Sequence, residues 1–382
     1  MGERPAVKGS RLAALACAAA AAAAALGWQA LTVHANFGGD WSAFFYTGAF
    51  CTVPPPLAVE RIYTFPGSAG YDGQYYHFIA HDPWLRRGFA VYVDNPRMRW
   101  RRILVPGLAA LASGFDDDFT DSVYAAVLLG WVFLGAYWLG RWGAEHGYSP
   151  WLGMGFLLAP ATLVSLDRAT VDVALAALTV GFALFRGPAL YGILTAAPFA
   201  RETGLLLIAA QAACAAWQRR WRAMLWSAAA ALPFLGWAWY VSRRTAPDLT
   251  SHLGPIPFAG ILYRVLRYAP YSLDTAWLRH AAALDYLAFL GLCAGLALAV
   301  PRRPDRLGMA AAAFAVALIF VSQPQVWAEA YAFARIASPL VILLALLALR
   351  DRWWWGLAPL ACILPRLLWQ LEPQFRGVLR GT

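Results

Sequence analysis

From Leu12 to Val33 the chain carries no charged side chain, and apolar runs of similar character recur as far as residue 371. A helix of about 20 apolar residues crosses the hydrocarbon core of a bilayer. Only helices and closed barrels satisfy their backbone polar groups there. This feature restricts the chain to an all-α, polytopic transmembrane bundle. Composition agrees, with 60% hydrophobic and 14% charged residues, against about 25% charged in soluble domains. The runs at 12–33, 122–140, 151–166, 169–185, 189–200, 204–217, 223–241, 281–300, 308–322, 335–349 and 353–371 predict about eleven spans. They form a single integral membrane domain over 1–382. It comprises a first span at 12–33, a long first outer loop at 34–102 containing short helices, further helices and loops at 103–371, and a tail at 372–382.

The net charge is +10. The arginines stand mostly between apolar runs, so topology and lipid headgroups account for them, and nucleic acid is not a partner. Arg4, Lys8 and Arg11 precede the first span. With that end inside, the arginine-bearing connections at 141–150, 186–187, 218–222, 301–306 and 350–352 also fall inside, as the positive-inside rule expects. Arg243 and Arg244 run against the pattern. The same threading gathers most of the remaining polar residues on the outer side. Five cysteines without CxxC spacing indicate neither a disulfide framework nor a zinc–cysteine site.

Four stretches carry chemistry. Asp40, in "NFGGDWSAFFYTG", sits just beyond the first span among aromatics; it reads either as a desolvated general base or as a helix N-cap after a glycine turn. "GYDGQYYHFIAHDP" predicts a helix over 71–80. Its His77 and His81 share a face at i, i+4, and with Asp82 they could hold a metal. Asp72, Gln74, Tyr75 and Tyr76 equally suit a sugar, which offers hydroxyls to carboxylate and amide and C–H faces to rings. The placement beside Asp40 and the arginines favours the sugar reading, and no metal is assigned. "PRMRWRRILVP" carries Arg97, Arg99, Arg101 and Arg102, whose forks match phosphate or anchor to headgroups.

Farther on, Arg201 and Glu202 in "APFARETGLLL", the Asp167-Arg168 and Asp172 group, and Glu329 with Arg335 place charge at apolar boundaries, where it marks functional positions. Arg168 and Asp172 are i, i+4 and are expected to pair. "DDDFTD" at 116–121 reads as a helix start with Thr120 or Asp121 as its cap. Walker A, GxGxxG, HExxH and GxSxG patterns are absent, which disfavours nucleotide-driven motors, Rossmann enzymes, zincins and common serine hydrolases.

The order of first span, long outer loop opening on an aspartate, and many further spans resembles the GT-C superfamily of membrane glycosyltransferases. Tyr71-Asp72-Gly73-Gln74-Tyr75-Tyr76, Asp82-Pro83, Arg102-Ile103-Leu104-Val105-Pro106 and Ala200-Arg201-Glu202-Thr203-Gly204 are also similar to motifs of bacterial membrane proteins associated with surface glycopolymers. The resemblance implies a polyprenyl-phosphate-linked sugar donor, a glycan or lipid acceptor, and membrane lipids as surroundings. It implies a location in the bacterial inner membrane with the site facing the periplasm or exterior. It casts Asp40 as base, helped by Asp72, with Arg102, Arg201 and Arg335 on the departing phosphate. Gln74, Tyr75, Tyr76, His77, Asp82, Arg168 and Glu202 complete the expected substrate-binding groups. Asp40 lacks the adjacent second acid of some members, so a divalent metal stays open. A lipid-linked-sugar flippase or transporter, or a non-catalytic assembly subunit, are the alternatives.

Overall fold

The computed structural model describes residues 5–59, 61–248, 252–301 and 304–381, with side chains from residue 9. Arg4, Arg302, Arg303 and Thr382 lie outside the described residues, as does the Lys8 side chain. The described chain is almost entirely helical. Its one strand pair joins Thr47–Gly48 to Thr64–Phe65 in parallel.

Among the described residues, five helices are long and apolar enough to cross a membrane: Gly9–Asn36, Asp117–Glu145, Trp221–Ser242, Ala276–Leu298 and Ala330–Arg350. A sixth arises if Pro150–Leu158 and Pro160–Arg168, bent by 60° at their junction, count as one span. The expected count of about eleven is therefore corrected. The runs at 169–185, 204–217 and 308–322 form the shorter helices Asp172–Leu184, Glu202–Trp217 and Arg306–Ile319. At 1.5 Å per residue these rise only about 20–24 Å, less than the roughly 30 Å hydrocarbon core. Gly187–Ala200 and Ala358–Gln370 are also short and carry internal prolines, Pro198 and Pro365. Such segments are tolerated at membrane depth when protein surrounds them. Asp172–Leu184 meets that condition, since every residue in it is buried.

The described part of the 34–102 stretch contains short helices, as expected. Helix Asp72–His81 forms where the sequence predicts one, and Pro96–Arg101 starts with proline at its first helical position, where the missing N–H costs nothing. Gly73 lies against the backbone carbonyls of Phe45 and Arg168, and a Cβ there would strike both. The Leu104–Ala112 helix packs on both Asp72–His81 and Asp117–Glu145. The cap of the latter is Asp116, whose side chain accepts from the Asp118 N–H, rather than Thr120 or Asp121. The acids after it form the first turn, where the helix dipole favours them. The 372–382 tail is itself a helix, Glu372–Gly381; Phe375 stacks on Trp28 at 6.5 Å and the Asn36 side chain donates to the Gln374 carbonyl at 3.1 Å.

A buried polar cluster centred on Asp285 joins three of the helices. Asp285 is fully buried; one oxygen accepts from the Ala330 N–H at 2.7 Å and lies 3.0 Å from Arg366 Nε, and the other accepts from Tyr271 at 2.5 Å. It ties helices Ala276–Leu298, Ala330–Arg350 and Ala358–Gln370 together. Removing one partner strands a buried charge, at a cost of about 3–5 kcal/mol. Asp285→Ala is thus expected to unfold markedly earlier in a detergent denaturation series, whereas Asp274→Ala, at an exposed position, is expected to leave the midpoint in place.

Candidate functional site

The break after Arg168 shapes the site. Ala169 adopts a left-handed conformation, φ 45°, which ends helix Pro160–Arg168 and starts a new direction at Asp172. Arg168 and Asp172 therefore do not form the expected i, i+4 pair. Arg168 Nε pairs instead with Asp167 at 3.0 Å, and its guanidinium lies 3.4 Å over the Tyr46 ring. Tyr331 donates to Asp167 at 2.6 Å and Gln374 donates to its other oxygen at 2.5 Å. Asp172 turns to a different set: it pairs with Arg201 and lies 3.5 Å from Arg335 Nη1.

Four arginines and four acids from several segments meet there. Asp72 is bracketed, one oxygen 2.9 Å from Arg99 Nη2 and the other 2.7 Å from Arg335 Nη2. Arg99 also grips Asp94 through Nε at 3.0 Å and Nη2 at 2.9 Å. Arg102 donates to Glu202 at 2.9 Å and to the Tyr76 hydroxyl at 3.2 Å. Arg201 and Glu202, adjacent in sequence, thus serve different partners. Aromatic faces complete the pairing: Arg99 lies 4.9 Å from the Tyr75 centroid and Arg335 5.1 Å from that of Tyr71. All four arginines are buried, yet Arg99 Nη1 and Arg335 Nε and Nη1 have no hydrogen-bond acceptor among the described residues. A buried donor left unmatched is costly, so these N–H groups are poised for an oxygen-rich partner.

Burial alone would push the Asp72 carboxyl up; the guanidiniums of Arg335 and Arg99 override it and hold the group well below the usual carboxylate range. A carboxylate so held is a poor proton acceptor. Its geometry is that of a clamp on two arginines. Burial pushes the Tyr71 hydroxyl up to about 12, so it stays a hydrogen-bond donor at neutral pH.

Beside this network opens a cavity of about 480 Å³. Its polar end carries Arg101, Arg102, Arg201, Glu202, Asp248 and His252, and Leu205, Leu206, Phe314, Leu318 and Val321 stand among its apolar lining. Burial and the nearby Arg102 hold the His252 imidazole below its ordinary pKa, so the ring is neutral at pH 7 and adds no further positive charge beside the arginines. Asp248 accepts from the Met98 N–H at 3.0 Å and its other oxygen lies 3.9 Å from Arg101.

The other expected residues are placed as follows. Asp40 caps a short 3-10 turn: Oδ1 accepts from the Ser42 N–H at 3.1 Å and hydroxyl at 2.6 Å, while Oδ2 lies 3.8 Å from the exposed Arg61. Its contacts lie outside the arginine network. Gln74 braces the loop, accepting from the Gly48 N–H and donating to the Ala69 carbonyl, both at 3.1 Å. Asp82 receives the N–H groups of Arg86 at 2.7 Å and Phe89 at 3.3 Å, so it does not join His77 and His81. His77 stacks on Phe45 at 4.2 Å, away from the cavity lining. Asp248 and His252 escaped sequence reasoning because single polar residues in an irregular loop carry no periodic signal. Comparison with known protein families, curated proteins and solved structures returned no match.

Proposed function

We propose that this membrane protein transfers a sugar from a polyprenyl-phosphate donor to a cell-envelope acceptor, at the outer face of the bacterial inner membrane, as the GT-C resemblance suggests. The observation that carries the reading is the two-part cavity. A lipid-linked phosphate needs guanidinium donors at one end and an apolar wall beside them, and Arg102 and Arg201 stand next to Leu205, Leu206 and Leu318. Arg99 and Arg335 offer unmatched N–H groups close behind.

In this reading the acceptor oxygen forms its bond to the anomeric carbon as the bond from that carbon to the phosphate oxygen breaks. The leaving polyprenyl phosphate keeps the electron pair, and Arg102 and Arg201 stabilise the charge that develops on it. Asp72 positions Arg99 and Arg335 rather than taking the proton. With Glu202 engaged by Arg102 at 2.9 Å, two other carboxylates are candidates to accept it. One is Asp248, which lines the cavity, and the other is Asp40, whose Oδ2 lies near Arg61.

The test is mass spectrometry of lipid extracts from a deletion strain complemented with variants. Loss of the gene is expected to accumulate a monosaccharide-phosphate lipid, which wild type clears. The variant of the true base, Asp248→Asn or Asp40→Asn, is expected to leave that lipid uncleared although the protein folds, and the other variant to clear it. Accumulation of a large lipid-linked oligosaccharide instead sinks the transferase reading in favour of flipping.

A further inference from the structure

His77 and His81 sit one turn apart on helix Asp72–His81, and Asp117 and Asp121 one turn apart on helix Asp117–Glu145. The two pairs face each other. Asp121 Oδ1 lies 2.8 Å from His77 Nε2 and 3.3 Å from His81 Nε2. Ligand atoms of His77, His81 and Asp121 all fall within 4.8 Å of one another. In a tetrahedral site with bonds of about 2.0–2.1 Å, neighbouring ligand atoms are about 3.3 Å apart.

The arrangement around His81 fixes its tautomer. Arg87 forks onto Asp117 with bonds of 2.7 and 2.8 Å, which keeps that carboxylate ionised. Asp117 Oδ1 then accepts from His81 Nδ1–H at 2.8 Å. In the neutral ring this leaves Nε2 with a lone pair, aimed at a carboxylate oxygen. His77 is fully buried and held by its stack on Phe45, and neither of its ring nitrogens makes a hydrogen bond among the described residues, although Nε2 lies close to the same oxygen. One oxygen and two imidazole nitrogens thus converge; with Nδ1–H on Asp117, the 3.3 Å contact from His81 Nε2 to Asp121 is a hydrogen bond only in the doubly protonated ring. Two carboxylates against one arginine also leave a unit of negative charge for the neutral rings to face. Asp121 borders a separate cavity of about 410 Å³, which offers an approach from outside the helix pair.

We infer that His77, His81 and Asp121 bind one divalent zinc ion, with Asp117 as the carboxylate that orients His81. Imidazole nitrogen and carboxylate oxygen are ordinary zinc ligands, and a histidine that ligates through one nitrogen commonly donates its other N–H to a carboxylate. The ion pins the outer-loop helix that carries Asp72 to the membrane helix beside it. This inference stands independently of the proposed transferase activity.

The test uses the full chain in detergent, stripped with chelator, dialysed against zinc chloride and assayed by elemental analysis. Wild type is expected to retain about one zinc per chain. His77→Gln and the near-isosteric Asp121→Asn are expected to retain none, and Asp117→Asn to bind about 10–100-fold more weakly. Cobalt-loaded wild type is expected to show visible d–d bands that Asp121→Asn lacks. Size-exclusion profiles confirm which variants fold, and Asp121→Asn carries the test if His77→Gln does not. Zinc retention by folded Asp121→Asn equal to wild type overturns the inference. So does wild type that binds neither zinc nor cobalt, in which case the cluster is a set of imidazolium–carboxylate pairs.

Discussion

Asp72→Asn is expected to reduce the proposed sugar transfer by about 100-fold, the scale of a misplaced site group, and to destabilise the protein, although the new side chain has nearly the same shape. Asp72 is the single carboxylate that Arg99 and Arg335 share, one on each oxygen. An amide presents one acceptor and one donor, so one guanidinium then faces an N–H₂ group. Breaking a buried charge pair from one side costs about 3–5 kcal/mol; with the Asp72 side chain still 20% exposed, the lower end applies. The sign with pH is fixed by the direction of the shift. The folded carboxyl is held below its unfolded value of about 3.9. Its contribution is therefore fully present above about pH 4 and fades as pH falls through the lower folded value. Urea or detergent unfolding of wild type and variant from pH 7 downward should show two curves that converge in acid. A constant gap across that range, or an Asn variant as active as wild type, contradicts the clamp.

Arg201→Gln is the second large effect. Arg201 is buried, lines the cavity and holds Asp172. Removing one donor that stabilises developing charge typically costs about 100–1,000-fold in turnover. The expected result is lost turnover with little change in donor affinity, because the apolar wall still binds the lipid. Leu318→Trp supplies the contrast: it narrows the wall and is expected to weaken donor binding about tenfold while sparing turnover of what binds. Steady-state kinetics on a polyprenyl-phosphate sugar reads both. A turnover loss in Leu318→Trp as deep as that in Arg201→Gln contradicts the division of labour.

Much of the site is visible in the sequence, and the reason is physical. Arg201, Glu202 and Arg335 interrupt apolar runs where charge is expensive, so their presence signals a partner. The partners themselves are not legible. Asp172 pairs with Arg201 only because Ala169 turns left-handed, and nothing in "LDRATVD" marks alanine for that role. The helix at 72–81 follows from its residues, but its second face, toward Asp117 and Asp121, depends on a contact between segments far apart in the chain. The span count erred because hydropathy records how apolar a run is and cannot tell lipid from protein as its surroundings. Asp172–Leu184 reads as a span and is enclosed by other helices.

The left-handed turn at Ala169 has one more consequence. Asp167 and Asp172 stand on its two sides; Tyr331 and Arg335, which hold them, stand one turn apart on a single helix. Four short links thus close a loop: turn, ion pair, helix turn, hydrogen bond. Such a linkage has no slack, so residues 167–172 and the start of helix Ala330–Arg350 move as one body. Ile336, on that same helix, lines the cavity, so this body forms a fixed part of its wall.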